Sequence, residues 1–541
     1  MNLQHASDVS FFVLLMAYFI GVDVGTQSVR SSLINSLGKE LFSSTEPLTL
    51  YNPQKDHYEQ SCDEIWRGVC STVNSVINNV NNTDIAGIGF DATCSLVLIN
   101  SSGEPLSVSQ DGLYDRTCLM WMDHRAVKET SIVNNAKSPV IKYVGGGFSP
   151  EQQPPKLLWI KTNLPKIWNE TAHFFDLPDW LTYRATGSTV RSLCSVTCKW
   201  GYISHRGGWD KDFLQEIGLH DLSDCNKLGN NILPPGKPVP GGVSKRASQE
   251  LGLLPHTPVG VSMIDAHAGT LAMLSYSPSQ FESLCIISGT STCIMGLSET
   301  EKMIGGIWGP YEGVVLPNTW LFEGGQTAAG SALDHVLKSH PAYSSDMTFS
   351  YLNDKIGDLV GDQSLHKQTT NLHIQPDLHG NRSPLAISWF RGMVCGLDLH
   401  SDFENLLLIY LATLQGLALG IRFVLERLSE QNITFTRIIT CGGLAKNPFY
   451  LQILSTVTKL PVFRPHFGNM MCKGSALLAK CAAEEKTLDE VIKVCQNSDQ
   501  SKNTDAFNPM EELIDFYDAK YTVYCKMTSD QIAYRKIMAS H

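Results

Sequence analysis

The sequence predicts an α/β protein built from two related halves, and three observations carry that expectation. Strand-like and helix-like segments alternate along the chain without low-complexity stretches. The segment YFIGVDVGTQSVRSSLIN (residues 18–35) reads as an apolar strand, a Gly-Thr turn with hydroxyl residues and a second strand, and LCIISGTSTCIMGLS (284–298) repeats that plan. Between them, SYSPSQF (275–281) reads as a break, so the division falls near residue 280. The 541 residues allow roughly two to four domains at ~150 residues each.

The elements follow in order. FFVLLMAYFIGV (11–22) is an apolar run of 12 residues, but Asp8 and no Lys or Arg precedes it, no small-residue cleavage pattern follows, and it is too short to span a bilayer. It reads as a buried strand from Ala17 to Val22, with residues 1–16 a tail and Met16 an alternative start. The N-x-[ST] matches at Asn81, Asn100, Asn169 and Asn432 then carry no weight, because glycosylation needs export. Residues 62–80 have helical apolar spacing, and 85–100 read as strand, polar interruption and strand. The Pro/Gly-rich stretch 232–242 is a loop. Residues 259–274 form an apolar strand ending in Asp265, then a helix of small residues. Residues 406–428 are a long helix apolar almost all round, hence buried. Residues 436–455 give a strand, a Gly442-Gly443 turn, and a helix capped by Asn447 with Pro448 in its first turn. The charges after Lys486 and the tail beyond Lys502 read as peripheral helices and solvated faces.

Composition narrows the function. Charged residues are only 18% and hydrophobic ones 43%, which argues for extensive buried surface and against disorder. A net charge of -11 leaves no basic field for nucleic acid. Fifteen cysteines at irregular spacing, an odd number, indicate reduced thiols and a cytoplasmic protein without a membrane anchor. Cys194 and Cys198 lack a second pair or a His at metal spacing, and read as small buried thiols.

The chemistry gathers at four places. A Gly-Thr turn lets backbone N–H groups approach an anion, and two such turns facing each other would grip a polyphosphate; each alone is also an ordinary hairpin turn. Gly442-Gly443 at a strand's end beside a helix N-terminus suits a nucleotide's base and ribose, or a plain strand-to-helix turn. Asp265 reads equally as a cleft carboxylate and as a helix N-cap. Asp23 holds the matching place before Gly25-Thr26, so one acid could serve Mg2+ and the other an acceptor hydroxyl.

These motifs, from about Tyr18 to Lys480, resemble the FGGY family of carbohydrate kinases, members of the actin, Hsp70 and hexokinase superfamily. GVDVGTQSVR is similar to its first phosphate loop, ISGTSTC to the second and CGGLAKNP to the adenosine-side turn. YEQSCDEIW, WMDHRA, PPKLLWI, FFDLPDWLTYRATG, FEGGQTAAG and DLHGNRSPL agree with the family in order and spacing. FDATCSLV, SVTCKW, IDAHAG, EGGQ and HGNRSP stand closest to its ribulokinase-like members.

The resemblance implies two RNase H-like domains with an ATP and sugar cleft between them, a sugar-binding one at 17–280 and a nucleotide-binding one at 281–485. It implies transfer from MgATP to a ketopentose, D-ribulose first, with other pentuloses or polyols, or a non-catalytic sensor, as alternatives. By the same resemblance Asp265 is the general base; Ala92, Lys199, Asp265 and Glu323 hold the sugar; Asp23 orients hydrated Mg2+; Thr26 and Gln27 line the first loop. Gly289, Thr290 and Ser291 donate to the γ-phosphate, and Gly442, Gly443 and Asn447 border the adenosine. His267 supports the Asp265 loop, and WGPYEG (308–313) either lines the cleft or packs a core. The partner is a small-molecule sugar, with room for a homodimer.

Overall fold

The computed structural model describes residues 17–359 and 365–539; the apolar stretch 11–16 lies outside them. Its continuation forms the first strand, β1 (Tyr18–Val24). β2 (Ser28–Asn35) and β3 (Glu40–Pro47) follow as an antiparallel meander. β4 (Ile85–Ala92) and β5 (Val259–Ile264) then add in parallel, giving the order β5-β4-β1-β2-β3.

The second sheet repeats the plan. β6 (Ser283–Ser288) and β7 (Thr292–Ser298) form the hairpin; β8 (Trp308–Glu312) and β9 (Trp320–Gln326) extend it antiparallel. β10 (Arg437–Cys441) and β11 (Val462–Pro465) add in parallel, and β12 (Thr504–Phe507) closes the order β8-β9-β7-β6-β10-β11-β12. The echo between 18–35 and 284–298 is thus a repeat of topology. Residues 93–258 insert a smaller sheet, whose strand Leu96–Ile99 leaves the plane of β4, and the loop at 232–242 contributes only the short strand Ile232–Leu233.

The helices bury the faces that their spacing predicts. α1 (Cys62–Ile77), capped by Ser61, packs Ile65, Val69, Val73 and Val76 under the first sheet. α2 (Leu193–Trp200) and α3 (Asp265–Leu274) border the cleft. α4 (Phe403–Ser429) is apolar and long enough for a membrane span, with a hydropathy of 1.8, but 78% of that window is buried in the second core. α5 (Pro448–Thr458) starts at Asn447.

α6 (Met470–Glu484) falls in sequence between β11 and β12 of the second sheet yet lies across the first. Its backbone runs against a row of glycines on β1, β4 and β5. A Cβ on Gly21 would sit 1.8 Å from the Cys472 carbonyl oxygen, and one on Gly89 2.1 Å from that of Ser475. Gly474 of α6 meets α3 just as closely, its Cβ falling 2.0 Å from the Ala268 oxygen. Gly89→Ala must therefore push helix and sheet apart, a cost of ~1–3 kcal/mol for overpacking. A lowered melting temperature is expected, and an unchanged one would contradict this contact.

The C-terminal reading needs correction. Residues 486–541 are not only periphery: β12 pairs with the second sheet, and α7 (Ile514–Ala539) buries Tyr517, Tyr521 and Tyr524 in the second core. Those aromatics recur at helical spacing, and burying them outweighs the polar residues between them.

Candidate functional site

Parallel pairing of β1, β4 and β5 brings their C-terminal ends together, and each ends in or beside a carboxylate. Asp23 is directly opposite Asp91, and Ala92 is opposite both Val24 and Ile264, the residue before Asp265. Asp23 Oδ2 accepts hydrogen bonds from Arg30 Nη1 and Asn469 Nδ2, both at 2.9 Å. Asn469 also caps α6 by accepting from the Met471 and Cys472 N–H groups, so the helix terminus and Asp23 share one asparagine. Asp91 is fully buried and accepts from the Ser475 hydroxyl; burial and the Asp23 charge push it well above the usual carboxylate range.

Asp265 is the first residue of α3 and accepts from the Ala266 N–H at 2.7 Å. The N-cap position itself is Ile264, which offers no side-chain acceptor. Burial, then the Asp23 charge, raises Asp265 to about 6.

The two Gly-Thr turns are each closed by the glycine N–H, the first being one residue longer than the second. The Gly25 N–H bonds the Ser28 carbonyl at 3.0 Å, and the Gly289 N–H bonds the Ser291 carbonyl at 2.8 Å. Thr26 Oγ1 accepts from Trp121 Nε1 at 3.0 Å, its carbonyl accepts from Gln60, and Gln27 is exposed. Thr290 is exposed and Ser291 half-buried, while the Thr290 and Gly289 carbonyls are tied to the 329–331 backbone.

The glycine pair divides by cause. Gly442 has φ +99 and its Cβ would lie 2.4 Å from the Ser288 oxygen, so the fold requires it. Gly443 has ordinary φ of -62 and nothing within 4 Å of a built Cβ. A Cβ at Gly25 or Gly289 also meets nothing closer than 3.7 Å. No protein atom stands in the way of a side chain at these three positions. Gly443→Ala is therefore expected to leave the melting temperature unchanged while weakening nucleotide binding; equal affinity would remove the turn from the nucleotide site.

Beside this turn lies a cavity of about 490 Å³, lined by Gly442, Gly443, Arg464 and Asn469 and by Arg30 and Glu40 of β2 and β3. Its volume suits a small ligand. Its walls do not include the two Gly-Thr turns. Asn447 does not face it as an adenosine ligand would: it is 2% exposed, its Oδ1 accepts from the Tyr450 N–H and from Asn353, and its Nδ2 donates to the Tyr410 hydroxyl. The cap that the sequence predicts uses up the side chain. Ala92 likewise packs its methyl in the first core, leaving only its backbone for a ligand.

Lys199 and Glu323 meet across the halves. Lys199 Nζ of α2 lies 3.0 and 3.1 Å from the two Glu323 oxygens of β9, and Arg382 Nη2 donates to Glu323 Oε1 at 2.8 Å. Lys199 and Arg382 both lie against the Trp308 ring, at 4.5 and 4.4 Å from its centroid. Of residues 308–313, Trp308 and Tyr311 pack in the core, and the Trp308 ring also carries the two cations. Against burial, the two cations hold Glu323 below the usual carboxylate range. Glu151 is lowered to about 2: burial opposes the shift, and His124, Arg382 and Lys199 overcome it. His124 in turn stacks on His379 at 5.9 Å.

The structure also supplies the histidine missing from the spacing of Cys194 and Cys198. His267 Nε2 is 3.3 Å from Cys198 Sγ, and the three ligand atoms lie within 4.8 Å of one another. Burial lowers His267 to about 4 and raises Cys198, which keeps both neutral. His267 thereby separates the Asp265 helix from Glu323, 3.9 Å away. All fifteen cysteines are free.

Comparison with known proteins decides the family. The N-terminal domain of the FGGY family of carbohydrate kinases matches residues 18–272, and its C-terminal domain matches 284–483. The chain belongs to the FGGY family of carbohydrate kinases. This FGGY kinase is 41% identical to an FGGY carbohydrate kinase domain-containing protein of Danio rerio, over 95% of this chain and 98% of the relative. It is 34% identical to a D-ribulokinase of Saccharomyces cerevisiae, over 91% of this chain and 75% of the relative. Among solved structures, a gluconate kinase from Lactobacillus acidophilus superposes with a TM-score of 0.80 at 18% identity (96% of this chain, 99% of the other). Plasmodium falciparum glycerol kinase with ADP superposes at 0.74 and 16% (95% and 98%). These two share the fold of the FGGY kinase, and its two actin- and hexokinase-like domains follow from the two family matches.

Sequence reasoning about this FGGY kinase missed Arg30, Asp91, Glu151, Arg382 and Asn469. Most lie inside or beside the motifs quoted above, so the signal was present without an assigned role.

Proposed function

We propose that the protein is an ATP-dependent ketopentose kinase that makes D-ribulose 5-phosphate from D-ribulose. The observation that carries the reaction type is the position of Asp265: a half-buried carboxylate of raised pKa at a strand end, near Asp23 and within the electrostatic reach of the Lys199–Glu323 pair. The likeness to the yeast D-ribulokinase supports the choice of sugar.

In this reading Asp265 takes the proton from the terminal hydroxyl as its oxygen attacks the γ-phosphorus, and ADP leaves in line. Lys199 donates to sugar oxygens and Glu323 accepts from sugar hydroxyls. Because they belong to opposite halves, the sugar ties the halves together and excludes water that would otherwise hydrolyse ATP. Gly25, Thr26 and Gln27 and Gly289, Thr290 and Ser291 take the phosphates through backbone N–H and hydroxyl groups. Gly442 and Gly443 admit the adenosine. Asp23 would hold Mg2+, which would supply charge neutralisation on the phosphates; the free space at the glycines and the acid beside them fit such a group. Arg30 and Asn469 fix the Asp23 carboxylate.

The test is ADP release from MgATP without sugar, then with D-ribulose, L-ribulose, D-xylulose, ribitol or glycerol. D-Ribulose should give the highest kcat/KM. Preference for another polyol would replace the sugar and keep the reaction; no stimulation by any of them would favour a nucleotide- or sugar-binding sensor.

A further inference from the structure

Arg382 stands on the loop that joins the paired strands His373–Gln375 and Met393–Cys395. The loop is braced: Asn381 Oδ1 accepts from the Leu385 N–H at 3.1 Å, and the Asn381 and Ile387 backbones bond each other at 3.0 and 2.8 Å. The side chain is therefore aimed. It reaches between Glu323 and Cys293, and Cys293 lies two residues beyond Ser291 of the second Gly-Thr turn. Arg382 thus joins the sugar side of the cleft to the phosphate side.

Its donors are not filled. A guanidinium carries five N–H groups. Nη2 serves Glu323; Nη1 has only the Cys293 sulfur at 3.9 Å; Nε is buried with no partner among the described residues. The side chain keeps 11% of its surface exposed, so it is not sealed in a core. A buried cation with spare donors is costly unless an oxygen-rich ligand completes it. Glu323 alone does not explain the arginine, because Lys199 already spans both carboxylate oxygens.

We propose that Arg382 is a third charged contact of the acceptor-binding site, holding the Glu323 carboxylate with Nη2 and giving its unfilled donors to an oxygen of the polyhydroxylated substrate. The inference rests on the kinase reading above. It gives the site two cationic donors and two acidic groups, Glu323 and Asp265, with which to sort hydroxyl and carbonyl positions on a neutral sugar, and the planar fork fixes direction in a way that a lysine cannot.

The experiment compares the wild type, Arg382→Gln, Arg382→Lys, Glu323→Gln and the Arg382→Gln/Glu323→Gln double variant. Sugar KM, kcat, ATP affinity and melting temperature are measured for each. Arg382→Gln should raise sugar KM about 10–100-fold, the loss of one or two charged hydrogen bonds, with ATP affinity unchanged. Arg382→Lys, which keeps the charge beside Glu323, should recover only part of that loss. The double variant should be clearly worse than Glu323→Gln alone, though by less than the product of the two single effects, because the two residues are in contact and share part of each effect. A double variant no worse than Glu323→Gln overturns the direct contact and leaves Arg382 merely bracing Glu323. If Arg382→Gln fails to fold, an unchanged sugar KM in Arg382→Lys overturns the proposal by itself. A wild type that no sugar stimulates removes the kinase reading and this inference with it, whereas a stimulated wild type with an indifferent Arg382→Gln removes only the inference.

Discussion

Asp265→Asn is expected to bind sugar and nucleotide as the wild type does and to lose about 10²–10⁴-fold in kcat, the usual worth of a general base. The asparagine keeps the size of the side chain and can still accept the Ala266 N–H, so folding should be unaffected. The pH profile gives a second readout. Asp265 must be ionised to accept a proton, and burial together with the Asp23 charge places its pKa near 6. The kcat/KM of the wild type should therefore fall about tenfold per pH unit below that value and level off above it. The residual activity of Asp265→Asn should lack this limb. A variant that retains most of its turnover would take the base away from this position.

Glu323→Ala should have the largest effect on stability. It leaves Lys199 and Arg382 facing each other over one indole ring with no anion between them, and removing one partner of a buried pair costs ~3–5 kcal/mol. Lys199→Met should cost less, because Arg382 still answers the carboxylate. The pH dependence has a fixed sign. Glu323 titrates lower in the folded protein than in the unfolded chain, so its contribution is present above an unfolded pKa of about 4.3 and is lost as pH falls through the folded value. Calorimetry of the wild type and Glu323→Ala from pH 7 downward checks this: the gap between their melting temperatures should narrow in acid, and a gap that widens would place the ion pair's energy elsewhere.

Much of this was legible in the sequence for local reasons. The two strand-turn-strand units, the Asp265 junction and the Asn447 cap each declare themselves within about twenty residues, where apolar period and turn chemistry are sufficient signals. What was not legible depends on contacts between distant segments. Lys199, taken by itself, reads as a surface lysine, and only the approach of Glu323 makes it a buried one. Arg382, Glu151 and His124 come from three separate segments, and nothing in any one of them announces the others. Asn447 shows the reverse limit: its cap was legible, but not that Tyr410 and Asn353 would occupy what remained of the side chain.

The row of glycines under α6 bears on how the chain comes to be folded as it is made. Gly21, Gly87, Gly89 and Gly260 are all synthesised long before residues 470–484, the segment that covers them. Until that segment emerges from the ribosome, one face of the first sheet, its glycines set among Phe19, Ile34 and Met263, has no helix to meet, so its final packing waits on the far end of the polypeptide. A fragment cut near residue 280 would keep all five strands of that sheet and still lack the element that closes it.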